Sequence, residues 1–196
     1  MKYKLKSSFF YLFVNYFICF SAISWADVSK SDQYAELDVK AVMLEKITRF
    51  IEWPNEVNVS ESSRFFIIGV IGNNNAFAQR LETAFSRQKI RDKEVKIRLF
   101  SNLKEIARCH LLVISRSEKS NVSAIVSALK NKPILLVGDT DHFAEMGVHI
   151  NFYLRSDGKL KFEINKDAIL SAGLAVSFRL IEAGTLVETR NESERP

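Results

Sequence analysis

The most reactive pair of side chains in the sequence is Cys109 next to His110. A thiol beside an imidazole is a combination used in nucleophilic catalysis, because the imidazole can take the thiol proton. The pair precedes the apolar run Leu111 to Ile114, which is typical of a buried strand. Neighbouring side chains on a strand point to opposite faces, so we do not expect these two to share a proton. We therefore interpret Cys109 as a buried small hydrophobe, with intermolecular pairing or redox sensing as the alternative.

The remaining candidate chemistry is weaker. His142 and His149 have no recognised metal-ligand spacing with each other or with His110, so we predict no metal site. Gly72 and the three asparagines that follow it lie where a strand turns into a helix, a place that holds phosphate or flavin in doubly wound sheets. The segment lacks GxGxxG and GxxxxGK[ST], so a simple turn with positive φ angles is the alternative. We predict no catalytic residue and no cofactor, and a flavin- or nucleotide-dependent enzyme stays a competing hypothesis.

The first 26 residues have the three parts of an export signal. Three lysines at positions 2, 4 and 6 precede the apolar stretch Phe9 to Phe20, and Ser24 and Ala26 are the small residues that a signal peptidase reads. We predict cleavage before Asp27 and localisation in the periplasm, with an uncleaved N-terminal anchor as the alternative. Because Cys19 lies in this signal, Cys109 is the single cysteine of the mature chain and cannot form an intrachain disulfide.

The composition is that of one globular domain. The chain has 196 residues, of which 47% are hydrophobic, and this is enough for a sizeable core. Without residues 1–26 the balance is 25 Lys and Arg against 23 Asp and Glu, a net charge of +2. A nearly neutral domain gives no electrostatic reason to expect nucleic acid as a partner.

The apolar pattern predicts the elements that hold these residues. A helix that closes at Trp53 and Pro54 is followed by alternating strands and helices, with strands at Phe65–Ile71, Val95–Leu99, Leu111–Ile114 and Ile134–Val137. Val148–Leu154 and Leu160–Ile164 flank Ser156-Asp157-Gly158, a strong hairpin signal, and a closing helical region from Asp167 to Ala183 is interrupted by Gly173. We predict an α/β layered domain with a largely parallel sheet flanked by helices, a C-terminal β-hairpin and a closing helix. Its parts are a polar segment at 27–37, one domain at 38–187 and a solvated tail at 188–196.

Several segments together resemble the YfiR family of periplasmic proteins. They run from Lys40 to Leu180 and comprise Lys40-Ala41, Phe50–Pro54, Ile67–Gly72 with Phe77, Ala107–His110, Ile114-Ser115, Pro133–Leu135, Gly138-Asp139, Phe143, Gly147, Ile150–Phe152, Phe162–Asn165, Ala168, Ala172–Leu174 and Ser177–Leu180. No single motif is decisive, but their order and spacing are specific, and they cover roughly residues 38–183.

The resemblance implies an exported, non-catalytic, dimeric protein. The family repressor binds the periplasmic region of an inner-membrane diguanylate cyclase and holds it back, so relief of repression raises cyclic di-GMP and favours biofilm. The alternative is a periplasmic small-ligand sensor that acts on another membrane partner, such as a histidine kinase. In that role a small ligand is a partner of the protein.

One departure from the family concerns redox control. The family repressor responds to oxidation through disulfides, one of which joins the cysteine of the Cys-His motif to a cysteine in the first strand. Cys109 matches the first of these positions, but the strand position matches Gly69, and no second pair exists. An intrachain redox switch is therefore not available, and any redox role of Cys109 has to act across a dimer or with another thiol.

Four residues are candidate partner contacts. Asn151, Glu163 and Asn165 are polar positions of the hairpin that recur in the family pattern. The alternative is that Asn165 caps the following helix and that Glu163 pairs with a cation such as Lys161. Trp53 either packs in the core or forms an exposed contact with a second copy or the cyclase.

Overall fold

The computed structural model describes residues 23–54, 64–106 and 109–190. The chain divides into two compact units, Met1–Glu36 and Leu37–Pro196, of which the second contains the whole sheet. The export signal predicted for residues 1–26 lies outside the described residues up to residue 22, as do residues 191–196 of the predicted tail. Among the described residues, no helix combines the length and the hydropathy that a membrane crossing requires.

Helices and short strands alternate along the chain. The helices are α1 (Ile23–Thr48), α2 (Asn75–Phe85), α3 (Leu103–Ile106), α4 (Val122–Leu129), α5 (Lys166–Ser171) and α6 (Phe178–Ala183), with a 3₁₀ turn at Arg116–Glu118. The strands are β1 (Ile51–Glu52), β2 (Phe65–Ile71), β3 (Lys89–Ile90), β4 (Lys93–Phe100), β5 (Leu111–Ile114), β6 (Leu135–Gly138), β7 (Ile150–Leu154), β8 (Leu160–Ile164), β9 (Ala175–Val176) and β10 (Thr185–Leu186).

An eight-stranded sheet organises the second unit. Its strand order is β10-β8-β7-β6-β5-β2-β4-β3, and β7, β6, β5, β2 and β4 run parallel to their neighbours in this series. The β7–β8 pair is antiparallel, as the predicted hairpin requires, and β3 pairs antiparallel with β4 at the other edge. The predicted fold class is confirmed: a mostly parallel sheet flanked by helices.

The central strands are buried on both faces because their sequences are apolar at nearly every position. Along β2, Phe66, Ile68 and Val70 face one core cluster, whereas Ile67 and Ile71 face the other. The first cluster packs against α1, α2 and the C-terminal helices, and the second packs against α4 and the segment before β7. This two-sided burial explains why β2, β5 and β6 lack the polar alternation of a half-exposed strand.

The predicted end of the first helix is wrong. We expected it to run through Phe50 to Trp53, but α1 ends at Thr48 and Ile51–Glu52 form β1. Ile51 pairs with Val176, and the carbonyl of Phe50 accepts a hydrogen bond from the Ser177 amide. Pairing with the distant strand β9 therefore replaces the last helical turn.

The closing region also differs from one continuous helix. It breaks at Gly173, which has a φ of +75°, and this confirms the interruption that the sequence predicts. The break makes room for β9, and the chain then adds β10 beside β8 in parallel register. Neither of these two-residue strands was predicted.

Candidate functional site

Trp53 lies in the core beneath β2. Its indole edge packs on the Phe66 ring at a centroid distance of 5.1 Å, and its Nε1–H donates to the His110 carbonyl at 3.1 Å. Only 5% of Trp53 is exposed. The structure therefore supports core packing of Trp53. It does not support an exposed contact, because almost none of the indole reaches the surface.

His110 is held as a neutral acceptor. Its ring stacks on Phe66 at 4.6 Å, and its Nδ1 accepts the amide hydrogen of Ile67 at 2.9 Å. An amide can only donate, so Nδ1 is unprotonated and the ring proton sits on Nε2. Burial, together with the positive charge of Lys93, lowers the pKa of His110 to about 4.

Cys109 faces the opposite side of the sheet from His110. It belongs to the core cluster that contains Ile67 and Leu112, and its Sγ donates to the Ile106 carbonyl at 3.1 Å. The residue is 2% exposed, and burial raises the pKa of its thiol to about 12. These contacts match the predicted small hydrophobe. Cys109 and His110 cannot share a proton in this arrangement. Redox chemistry requires the thiolate form of a cysteine, and burial keeps the Cys109 thiol neutral.

Gly69 in β2 and Gly72 in the turn that follows both lie close to other side chains. A Cβ on Gly69 would lie 2.4 Å from the Phe100 ring, so the position that matches the family's strand cysteine has no room for a side chain. Gly72 has a φ of +89° and packs against Ser117, whose Oγ accepts the Asn73 amide at 3.0 Å. The Gly72 turn is thus closed by a serine, as expected of a simple turn rather than a phosphate loop.

Asn151 and Glu163 form a cross-strand pair on the β7–β8 hairpin. Asn151 is 1% exposed; its Nδ2 donates to Glu163 Oε2 at 2.9 Å, and its Oδ1 accepts the Thr140 amide at 3.1 Å. Glu163 is half-buried and pairs with this amide rather than with Lys161, the partner suggested by the sequence. Of the polar hairpin candidates, Glu163 is the one that presents surface.

Asn165 caps α5 and is fully buried. Its Oδ1 accepts the Ala168 amide at 2.9 Å, while its Nδ2 donates to the Ala144 carbonyl and to Thr189 Oγ1, both at 2.8 Å. The capping interpretation matches this geometry. Thr189 and Arg190 belong to the predicted solvated tail; they are exposed as expected, but they are tied to the domain, and the Arg190 amide also donates to the Glu145 carbonyl.

An ion pair at the carboxyl end of β6 was not predicted. Lys40 of α1 is 5% exposed, and its Nζ lies 2.7 Å from Asp139 Oδ2. The sequence signal was a lysine one turn before the apolar Leu44 in a helix, and an acid directly after an apolar strand. Nothing local connects them, because 99 positions separate the two residues.

The buried position of His149 was also not predicted from the sequence. Its Nδ1 accepts the Leu136 amide at 3.1 Å, and burial lowers its pKa to about 3. His142 is exposed and contacts Glu145 at 3.2 Å. Among the described residues, no group of three or more His, Cys, Asp or Glu side chains is arranged to hold a metal ion.

Comparison with known proteins gives one family match. A family model described as YfiR/HmsC-like matches residues 37–185, which span the sheet from the second half of α1 to the start of β10. No curated protein matches the chain.

The solved structures that are similar to part of the chain include two of low sequence identity. A conserved domain protein from Vibrio cholerae O1 biovar El Tor is 13% identical, with a TM-score of 0.46, and the match covers 62% of this chain and 54% of that one. An ABC domain in complex with L-Trp from Streptococcus pneumonia is 13% identical, with a TM-score of 0.45, and the match covers 62% and 56%. This chain thus spans little more than half the length of each.

Proposed function

This chain belongs to the YfiR/HmsC-like family, and we propose that it is an exported regulatory protein that binds and represses an inner-membrane diguanylate cyclase. Family membership implies periplasmic regulation of a diguanylate cyclase, and the members are regulators rather than enzymes. Repression lowers cyclic di-GMP and biofilm formation, and release of the cyclase raises both. The observation that carries this proposal is the family match over residues 37–185.

The state of the reactive side chains supports a binding role. Cys109 is buried with a raised pKa, and His110 and His149 are buried with lowered pKa values, so none of the three is poised for proton or acyl transfer near neutral pH. The Gly72 turn is filled by Ser117, which leaves the flavin- or nucleotide-dependent enzyme without its suggested site.

The proposed cyclase contact is the outer face of the β7–β8 hairpin. Glu163 and Tyr153 lie on this face, and β10 extends it because Thr185 pairs with Glu163 in register. Tyr153 Oη and Thr185 Oγ1 are 3.2 Å apart, and this contact links β7 to β10 through their side chains. The buried Asn151 amide donates to the Glu163 carboxylate. The proposed role of Asn151 is therefore to position Glu163 and not to contact the cyclase itself.

The partner contact is tested with two substitutions at one position. Glu163→Gln keeps an oxygen that can accept from Asn151 but removes the charge, whereas Glu163→Ala removes both. If Glu163 contacts the cyclase through its charge, both variants weaken binding to the purified periplasmic region of the cyclase by about fivefold or more, and the melting temperature of the Gln variant stays near wild type. Glu94→Gln, on exposed β4 near the other edge of the sheet, is the matched control. Wild-type affinity in the Gln variant would remove Glu163 from the interface.

The cellular experiment tests the regulatory role itself. We expect cyclic di-GMP to rise when the gene is deleted and to fall again when the full chain is restored, but not when a form without residues 1–26 is restored. An unchanged level on deletion would refute repression of a cyclase and would favour the small-ligand sensor that acts on another membrane partner. We further propose that the protein acts as a homodimer, and sedimentation velocity on the purified chain tests this, with a monomer at micromolar concentration as the contrary result.

A further inference from the structure

A cavity of about 420 Å³ lies between α4, α5 and the segment before β7. This volume is within the range of natural small-molecule sites. The C-terminal residues Thr189 and Arg190 form part of its wall, and both are tied down: Asn165 donates to Thr189, and Arg190 lies 2.6 Å from Glu145 Oε2. The wall of the cavity is therefore a fixed part of the domain.

The lining of the cavity combines apolar and polar residues. Val126, Leu129, Leu136 and Met146 line it, and of these Leu129 and Leu136 are buried. Exposed polar residues surround the opening, including Lys130 at the end of α4. A lining with an apolar part beside polar groups suits a ligand that itself has an apolar and a polar part.

His149 is a largely buried residue that lines this cavity and supplies a hydrogen-bond donor. Its Nδ1 is occupied by the Leu136 amide, so the neutral ring carries its proton on Nε2. Nε2 has no hydrogen-bond partner within the described part of the chain, although the residue is 4% exposed and lines the cavity. Because this donor meets no acceptor of the described protein, the oxygen of a ligand in the cavity can accept its hydrogen.

Lys130 is the cation at this cavity that is available to an anionic ligand. The lining of the cavity includes two cations, Lys130 and Arg190, and one carboxylate, Asp167. Arg190 is neutralised by Glu145, whereas Lys130 forms no ion pair with any residue that the structure describes. Asp167, in the first turn of α5, carries the opposite charge, so preference for an anion depends on closeness to Lys130 and not on a net positive charge of the lining.

We propose that this cavity binds a small organic acid, whose carboxylate accepts the His149 Nε2–H and is balanced by Lys130 while its apolar part packs against Val126, Leu136 and Met146. This site does not rest on the regulatory role proposed above, because binding is a property of the purified chain without any cyclase. The acid is defined by its chemistry: one carboxylate on an apolar group small enough for about 420 Å³.

The probes are benzoate, benzamide and benzylamine, which present an anion, a neutral carbonyl and a cation on the same ring. Two-dimensional NMR of the ¹⁵N-labelled chain at pH 7 follows the His149 imidazole nitrogens and the Leu136 amide. We expect benzoate to shift both signals in a saturable manner, with an affinity at least tenfold above that of benzamide or benzylamine. Equal binding of benzoate and benzamide would overturn the requirement for an acid. No shift with any probe at 10 mM would overturn the site.

Matched variants assign the two polar groups. His149→Asn keeps an acceptor for the Leu136 amide and removes the Nε2 donor, and we expect about tenfold or greater loss of benzoate affinity. Lys130→Gln should weaken benzoate by about threefold and leave benzamide unchanged. The controls are His142→Asn and Lys132→Gln, both exposed and outside the lining. Undiminished benzoate binding in a folded His149→Asn variant would refute the proposal, and if that variant does not fold, the wild-type comparison of the three probes still decides it.

Discussion

Mild acid should destabilise this domain through two buried histidines. His110 and His149 lie on neighbouring parts of the sheet, and each accepts a backbone amide hydrogen at Nδ1. Burial, aided at His110 by the charge of Lys93, lowers the pKa of His110 to about 4 and that of His149 to about 3. Protonation of either ring at Nδ1 would also place a hydrogen against the amide that it now accepts.

The size of the effect follows from these pKa values. In the unfolded chain a histidine has a pKa near 6.5, so below this pH the unfolded state binds a proton that the folded state does not. Stability therefore rises with pH between about 4 and 6.5 for His110, and between about 3 and 6.5 for His149. Each histidine contributes a slope of about 1.4 kcal/mol per pH unit. Lowering the pH from 7 to 5 should cost about 2 kcal/mol for each ring and about 4 kcal/mol for both.

Urea unfolding at a series of pH values between 5 and 7 measures this slope. Fluorescence reports the transition, because Trp53 packs against Phe66 and loses that environment on unfolding. His110→Asn and His149→Asn each keep an oxygen in place of Nδ1 but cannot take up the proton. Each variant should halve the pH dependence, whatever its stability at pH 7, and the double variant should nearly abolish it. His142→Asn, at an exposed position, keeps both buried rings and should retain the full slope.

The reasoning fails if the double variant shows the same slope as the wild type. In that case the carboxylates, rather than the imidazoles, would carry the acid sensitivity. A wild-type free energy of unfolding that is flat from pH 7 to pH 5 would also contradict it, because the two rings would then be protonated in the folded state. Equal urea m-values across the series are required for the comparison, since a changed m-value reports a changed unfolded or folded state.

Two further predictions concern the buried thiol and the buried ion pair. In native protein Cys109 should react with a thiol reagent about a thousandfold more slowly than in urea, because burial raises the pKa of its thiol to about 12. Peptide mass spectrometry locates the label. Rapid labelling of the native protein would contradict this and would show that the site opens. Asp139→Ala should lower the free energy of unfolding by about 3 kcal/mol because it removes the carboxylate that lies 2.7 Å from the ammonium of buried Lys40, and the double variant Lys40→Met/Asp139→Leu should recover more than half of that loss. Equal losses in Asp139→Ala and in the double variant would contradict this, because removal of the lysine charge would then recover nothing.

The parts of the fold that were predictable are those that local sequence determines. Phe65–Ile71 and Leu111–Ile114 are apolar at nearly every position, and both are buried strands. Asp157 and Gly158 mark the hairpin turn, and Gly158 has a φ of +76°. In each case the signal and the structure lie within a few residues of each other.

The parts that were missed depend on contacts between distant residues. β1 forms because Ile51 pairs with Val176 of β9. No property of Phe50 or Ile51 alone distinguishes a short strand from one more helical turn. The same limit applies to the site. The cap at Asn165 follows from its place before a helix, whereas the use of Asn151 and Glu163 as partners of each other requires the register of the hairpin.

The pairing of β1 with β9 has a consequence for the order of folding. Ile51 and Trp53 belong to the same core cluster as Leu174, so this part of the core is covered only when the C-terminal segment arrives. A nascent or translocating chain that stops short of Ala175 lacks the strand that ends the first helix. Closure of so long a loop is entropically costly and late, so the N-terminal helix should keep extra turns and open apolar surface until synthesis is nearly complete. β9 therefore completes this part of the core late, and a chain truncated before Ala175 should be cleaved by protease more readily than the full chain.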